Sequence, residues 1–127
     1  MTSMNLDGFT ASHLRSHWVE EPGLAYYVRK SLFFPGVIEL ANCNTTDPDG
    51  AQFGFWRFMK KYAHRIPFIA ENVINEQMVD YLTRRGWLMR DVGSIPQFAS
   101  PLAVEQNRGN DLFDRLYPHS SSNGSTA

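Results

Sequence analysis

Residues 37–73 read VIELANCNTTDPDGAQFGFWRFMKKYAHRIPFIAENV, and the spacing of apolar side chains changes twice within them. Residues 37–46 read as a strand, which Asp47-Pro48-Asp49-Gly50 ends with turn chemistry. From Phe53 the period is helical: Phe55, Phe58, Met59 and Tyr62 recur at i, i+3, i+4 and i+7, with Arg57, Lys60, Lys61 and His64 on other faces. After Arg65, residues 66–73 are mostly apolar and suit a buried strand covered on both faces. Strand, helix and strand in this order predict adjacent parallel strands joined by a right-handed crossover through a helix over 53–63, and hence an α/β layer structure.

Upstream, residues 24–34 are rich in aromatic and branched residues and read as a further strand. Pro35-Gly36 is a turn signal, so this strand is expected to pair with 37–46. Residues 1–23 are mixed and polar; Thr10 or Ser12 is placed to cap a short helix carrying Leu14 and Trp18, with Pro22-Gly23 to stop it. Downstream, Asn75 is a favoured N-cap, and Met78, Val79 and Leu82 give an apolar helix face. Arg84 and Arg85 suit the negative end of that helix, and Gly86 suits its C′ position. Residues 87–92 and 95–98 read as a closing hairpin around Gly93-Ser94 whose second arm carries Pro96. One domain is expected over 1–100, with 101–127 as a C-terminal extension. Within the extension a helical turn falls at 111–116, and the Ser, Asn, Gly and Thr run from about 119 is expected to be disordered.

A chain of 127 residues, 43% hydrophobic, is long enough for one core and too short for two. Its formal charge of -1 offers no basic excess for a polyphosphate backbone, so no nucleic-acid partner is expected. Residues 1–12 lack a basic n-region and an apolar h-region, and no apolar run approaches the roughly 20 residues that span a bilayer, so the expected place is the cytoplasm. The lone Cys43 cannot form an internal disulfide and reads as core. His13 and His17 stand four apart on the expected N-terminal helix, but no third ligand is in view and no metal is predicted.

The segment from Asn75 through Gly86 to Trp87 resembles the closing motif of the GNAT superfamily of N-acyltransferases, in which an asparagine opens a helix that ends in a glycine and an aromatic residue. Upstream, Thr46-Asp47-Pro48-Asp49 is similar to the end of the family's fourth strand, with Pro48 as the matching residue. The likeness covers about 50 residues, and the 36 residues before Val37 are shorter than the family's usual N-terminal run. The resemblance implies a GNAT-like mixed sheet with a strand-helix-strand-helix C-terminal half and a shortened N-terminal half. It further implies an acyl-CoA ligand, acetyl-CoA in the common case, held by backbone N–H groups at the start of the first of those helices. Residues Gln52, Phe53, Gly54, Phe55, Trp56 and Arg57 would line that site, with Asn75 beside it. The family's pyrophosphate loop falls on Ala51, Gly54 and Trp56, and of these Gly54 alone is retained. Trp56 puts a large ring where the family has glycine or alanine, and Asp47 and Asp49 add negative charge near an anion site.

In the family a tyrosine often protonates the leaving thiolate, and that position is Leu82 here; the adjacent Tyr81, about 100° away around a helix, is the candidate acid in its place. Glu39 and Glu71 are the nominal bases for the acceptor amine, although paired or solvated carboxylates are the plainer reading of both. Two functions follow from the resemblance. One is an acyl-CoA-dependent N-acyltransferase with a degenerate site, acting on a small-molecule or peptide amine. The other is a non-catalytic GNAT-like binding or assembly protein with a protein partner, similar to small phage-encoded GNAT-like proteins found in the host cytoplasm or the virion. The sequence names no acceptor, partner or oligomeric state.

Overall fold

A computed structural model of the chain describes residues 4–21, 23–45, 54–73, 76–93 and 95–118. Among them, six strands form one mixed sheet with five helices around it. In chain order these are α1 (Leu6–Ala11), β1 (Ser16–Glu21), β2 (Leu24–Lys30), β3 (Ile38–Thr45), α2 (Phe55–Tyr62), β4 (Phe68–Ala70), α3 (Glu76–Arg84), β5 (Leu88–Val92), β6 (Ile95–Ala99), α4 (Pro101–Gln106) and α5 (Asp111–Leu116). The sheet order is β1-β2-β3-β4-β6-β5. Neighbouring strands are antiparallel except β3 and β4, which run parallel with Ile38 opposite Phe68 and Leu40 opposite Ala70. The adjacent parallel strands expected within 37–73 are therefore present, with α2 between them in the chain and α3 after β4.

Alternation along the strands splits the core in two. On the first face Val28, Ile38, Leu40, Phe68, Ala70 and Phe98 pack under α1, α2 and α3, and α2 contributes Phe55, Phe58, Met59 and Tyr62 as its spacing predicts. The Phe58 ring lies 5.2 Å from Tyr26, 5.1 Å from Tyr62 and 5.7 Å from Phe68. On the second face Phe34, Val37, Ile69 and Ala99 are covered by Ala103, Phe113 and Tyr117 from the segment 101–118. α4 is absent from the sequence reading, yet its start is built from ordinary signals: the Ser100 side chain accepts from the Ala103 N–H, and Pro101 occupies the first helical position.

The N-terminal helix differs from its expected place. It spans Leu6–Ala11 with Asn5 as N-cap, and Ser12 closes it rather than opening one. Leu14 and Trp18 lie outside it, and Ser16–Glu21 is a strand because pairing with β2 overrides local preference. Without that helix, the spacing of His13 and His17 has no ligating geometry behind it. α1 is tied to the sheet through the nearly buried Glu21, which accepts from the Leu6 N–H at 3.4 Å and the Tyr62 hydroxyl at 2.6 Å, and to the turn after α2 through the Arg65–Asp7 pair. β2 ends at Lys30 instead of 34, because the Ser31 hydroxyl accepts the N–H groups of Phe33 and Phe34 and turns the chain. The expected C′ glycine is in place: Gly86 has φ +84°, and the Trp87 N–H returns to the Leu82 carbonyl at 3.1 Å. The run from residue 119, expected to be disordered, lies outside the described residues.

Candidate functional site

The sheet opens at the carboxyl end of its parallel pair. Pairing of β3 with β4 stops at Leu40 and Ala70, with one further bond from the Glu71 N–H to the Leu40 carbonyl, while β3 runs on to Thr45 paired to β2. The chain after Glu71 turns the other way: Asn72 takes the left-handed conformation at φ 56°, and the Val73 N–H bonds to the Pro96 carbonyl on β6. α2 begins at the same end of the sheet. Gly54 has helical angles, φ −64° and ψ −44°, that any residue adopts, so backbone strain does not explain it.

Of the expected ligand residues, Gly54, Phe55, Trp56 and Arg57 are among the described ones. Gly54 and Phe55 are buried, with Phe55 packed edge-on against Tyr81 at 5.5 Å. Trp56 is 40% exposed and carries Lys60 over its ring at 4.7 Å, so the indole lies outside the core and along the helix surface. Arg57 is exposed. Ala51, Gln52, Phe53 and Asn75 lie outside the described residues, as do Asp47, Pro48 and Asp49.

The acid and base candidates are separated by the sheet. Leu82, at the tyrosine position, is 0% exposed in the first core, and Tyr81 is half-buried against that core with the Arg85 guanidinium 4.6 Å above its ring. Glu71 sits on the opposite face, where Arg29 bridges it to Glu39. Arg29 and Glu39 are cross-strand partners, with Nε donating to Glu39 Oε1 at 3.0 Å, and Nη2 donates to Glu71. Burial works against the charge on Arg29, but the bonds to Glu39 and Glu71 outweigh it and raise its pKa. Both nominal bases are thus ion-paired.

Sequence reasoning missed the rest of this polar row. Gln97 on β6 and Arg90 on β5 are cross-strand partners on the same face, joined at 2.9 Å, and the Tyr117 hydroxyl donates to Gln97 Oε1 at 2.6 Å. Burial, opposed by Arg90, pushes the Tyr117 phenol up to about 12. Arg29, Arg90, Gln97 and Tyr117 come from four separate segments, so no local spacing announces them. Among the described residues no cluster of three or more His, Cys, Asp or Glu is placed to hold a metal ion, and no helix is long and apolar enough to cross a membrane.

Between α2 and α3 lies a groove of about 340 Å³ lined by Trp56, Met59, Lys60, Ala63, Tyr81, Arg85 and Trp87. The α2 residues stand at i, i+3, i+4 and i+7 and the α3 residues at i and i+4, so each helix lends one face. Comparison with known proteins returns no match to this chain among family models, curated proteins or solved structures.

Proposed function

We propose that this chain is a GNAT-like domain that works as a non-catalytic binding or assembly protein, of the kind carried by phages, rather than as an acyltransferase. The observation that carries the reading is the fate of the acid: the tyrosine position is a leucine sealed in the core, and the neighbouring Tyr81 lines the groove between α2 and α3. Glu39 and Glu71 support it from the base side, because both are engaged in ion pairs with Arg29 on the face of the sheet opposite Tyr81.

The acyltransferase reading keeps one observation in its favour. The split between β3 and β4, with the α2 N-terminus at its mouth and Glu71 on its rim, is where the resemblance implies an acyl-CoA thioester. Calorimetry with acetyl-CoA, run beside a thiol-release assay with polyamine and lysine-peptide acceptors, separates the two. The expected result is no thiol release above the protein-free rate, whether or not acetyl-CoA binds. Release that disappears in Glu71→Gln would restore the enzyme.

A further inference from the structure

We propose that the groove between α2 and α3 is the docking site for a short acidic segment of a protein partner, its apolar side chain resting on Met59, Ala63 and Trp87 and its carboxylates meeting Lys60 and Arg85. This deepens the binding reading and rests on it.

The argument comes from the cations. Six cation–ring contacts are present among the described residues, so a cation over a ring is not by itself a signal in this molecule. Four of these cations also have an oxygen partner within the chain: Lys30 with the Ser12 carbonyl, Lys61 with Glu21, Arg65 with Asp7, and Arg90 with Gln97. The other two are Lys60 over Trp56 and Arg85 over Tyr81, and neither has an oxygen partner among the described residues. Both line the groove. The rings hold each cation beside the groove, one from the α2 side and one from the α3 side, with no oxygen partner among the described residues, over a floor of Met59, Ala63 and Trp87 that is apolar except for the indole N–H.

The ligand class follows from that layout. A phosphate is best held by several donors converging on one group, whereas single cations on two separate helices suit singly charged carboxylates spaced along a peptide. The α2 wall from residue 56 to 63 extends roughly 10 Å at 1.5 Å per residue, about the length of three extended residues. Charge complementarity is local: among the described residues the groove lining carries two cations and no carboxylate, although the whole chain is at -1.

Two of the three tryptophans line the groove, so a Trp18→Phe background reports on it by intrinsic fluorescence. The probe is an acetylated, amidated peptide with phenylalanine and leucine flanked by glutamates, compared with the same peptide carrying lysines. Saturable quenching or blue shift is expected with the acidic peptide, weakening with added salt and by roughly tenfold in Lys60→Glu and in Arg85→Glu. Arg84→Glu, with the same charge change on the same helix, should alter affinity by no more than about twofold. If either reversal unfolds the protein, Lys60→Gln and Arg85→Gln, which keep the aliphatic stems, must weaken binding in the same direction. No saturable acidic-peptide binding, equal binding of the lysine peptide, or equal effects of Arg84→Glu and Arg85→Glu would each overturn the site. Binding of phenylbutyrate as tight as the peptide would overturn the peptide assignment. Thiol release reports separately on the non-catalytic reading, so the two fail independently.

Discussion

Tyr117 is almost fully buried with its hydroxyl on Gln97, and burial is the first cause of a phenol pKa of about 12 against an ordinary value of 10. A folded-state pKa above the unfolded one means the native protein holds that proton more tightly. Its contribution is fully present below pH 10 and is lost as pH rises from 10 through about 12. Tyr62 is shifted in the same direction by burial and its bond to Glu21, so both phenols make the native state lose stability as pH rises past 10. Tyr117→Phe should therefore cost about 0.5–1.5 kcal/mol at neutral pH through the lost hydrogen bond, yet show a shallower fall in stability at high pH. Denaturant melts across that range check it, and an alkaline limb as steep as that of the parent chain would remove Tyr117 from the explanation. The same scale explains what remained hidden in the candidate site. Glu71 was legible as a carboxylate near a strand end, but its partner Arg29 is 42 residues away on β2, and only sheet pairing brings the two together.

Among the elements, those with dense periodic burial were legible and those with sparse burial were not. α2 shows four apolar positions at helical spacing, and all four are buried; β1 buries Val19 as its one fully covered residue, so its period of two left little trace. Phe58→Ala removes a ring packed among Tyr26, Tyr62 and Phe68 and should cost on the order of 3–5 kcal/mol, whereas Arg84→Ala on the exposed side of α3 should cost roughly 0.5 kcal/mol or less. Similar shifts for both in chemical denaturation would mean that the helix faces are misassigned. Ser100 tests a junction between elements. Its hydroxyl oxygen is buried and accepts from both the Phe68 N–H that opens β4, at 2.9 Å, and the Ala103 N–H in the first turn of α4, at 3.2 Å. Ser100→Ala leaves two donors without that acceptor and should destabilise by about 1–3 kcal/mol. Ser100→Thr keeps the oxygen, so any excess cost there measures the space for one methyl group.

The molecule as a whole depends on which residues close the second face of the sheet. Its first hundred residues contain the crossover, the hairpin and the first core, but they leave Phe34, Val37, Ile69 and Ala99 without Ala103, Phe113 and Tyr117 above them. Phe34 meets Phe113 edge-on at 5.1 Å, and Phe113 stacks on Tyr117 at 5.0 Å, so one aromatic row joins the β2–β3 turn to α5. Burying two aromatic side chains is worth roughly 3–6 kcal/mol. A small domain has only about 5–15 kcal/mol in total, so the loss is a large share of what holds the fold. A chain ending at residue 100 should therefore bind an apolar dye such as anilinonaphthalene sulfonate, lose near-ultraviolet dichroism and melt without a sharp transition, while the chain ending at 118 should behave as the full protein does. A cooperative melt of the shorter chain at the temperature of the longer one would show that α4 and α5 only decorate the sheet. The expected result makes them part of the core, with the polar row of Arg29, Glu39, Glu71, Gln97, Arg90 and Tyr117 bordering the apolar contact that keeps them on the sheet.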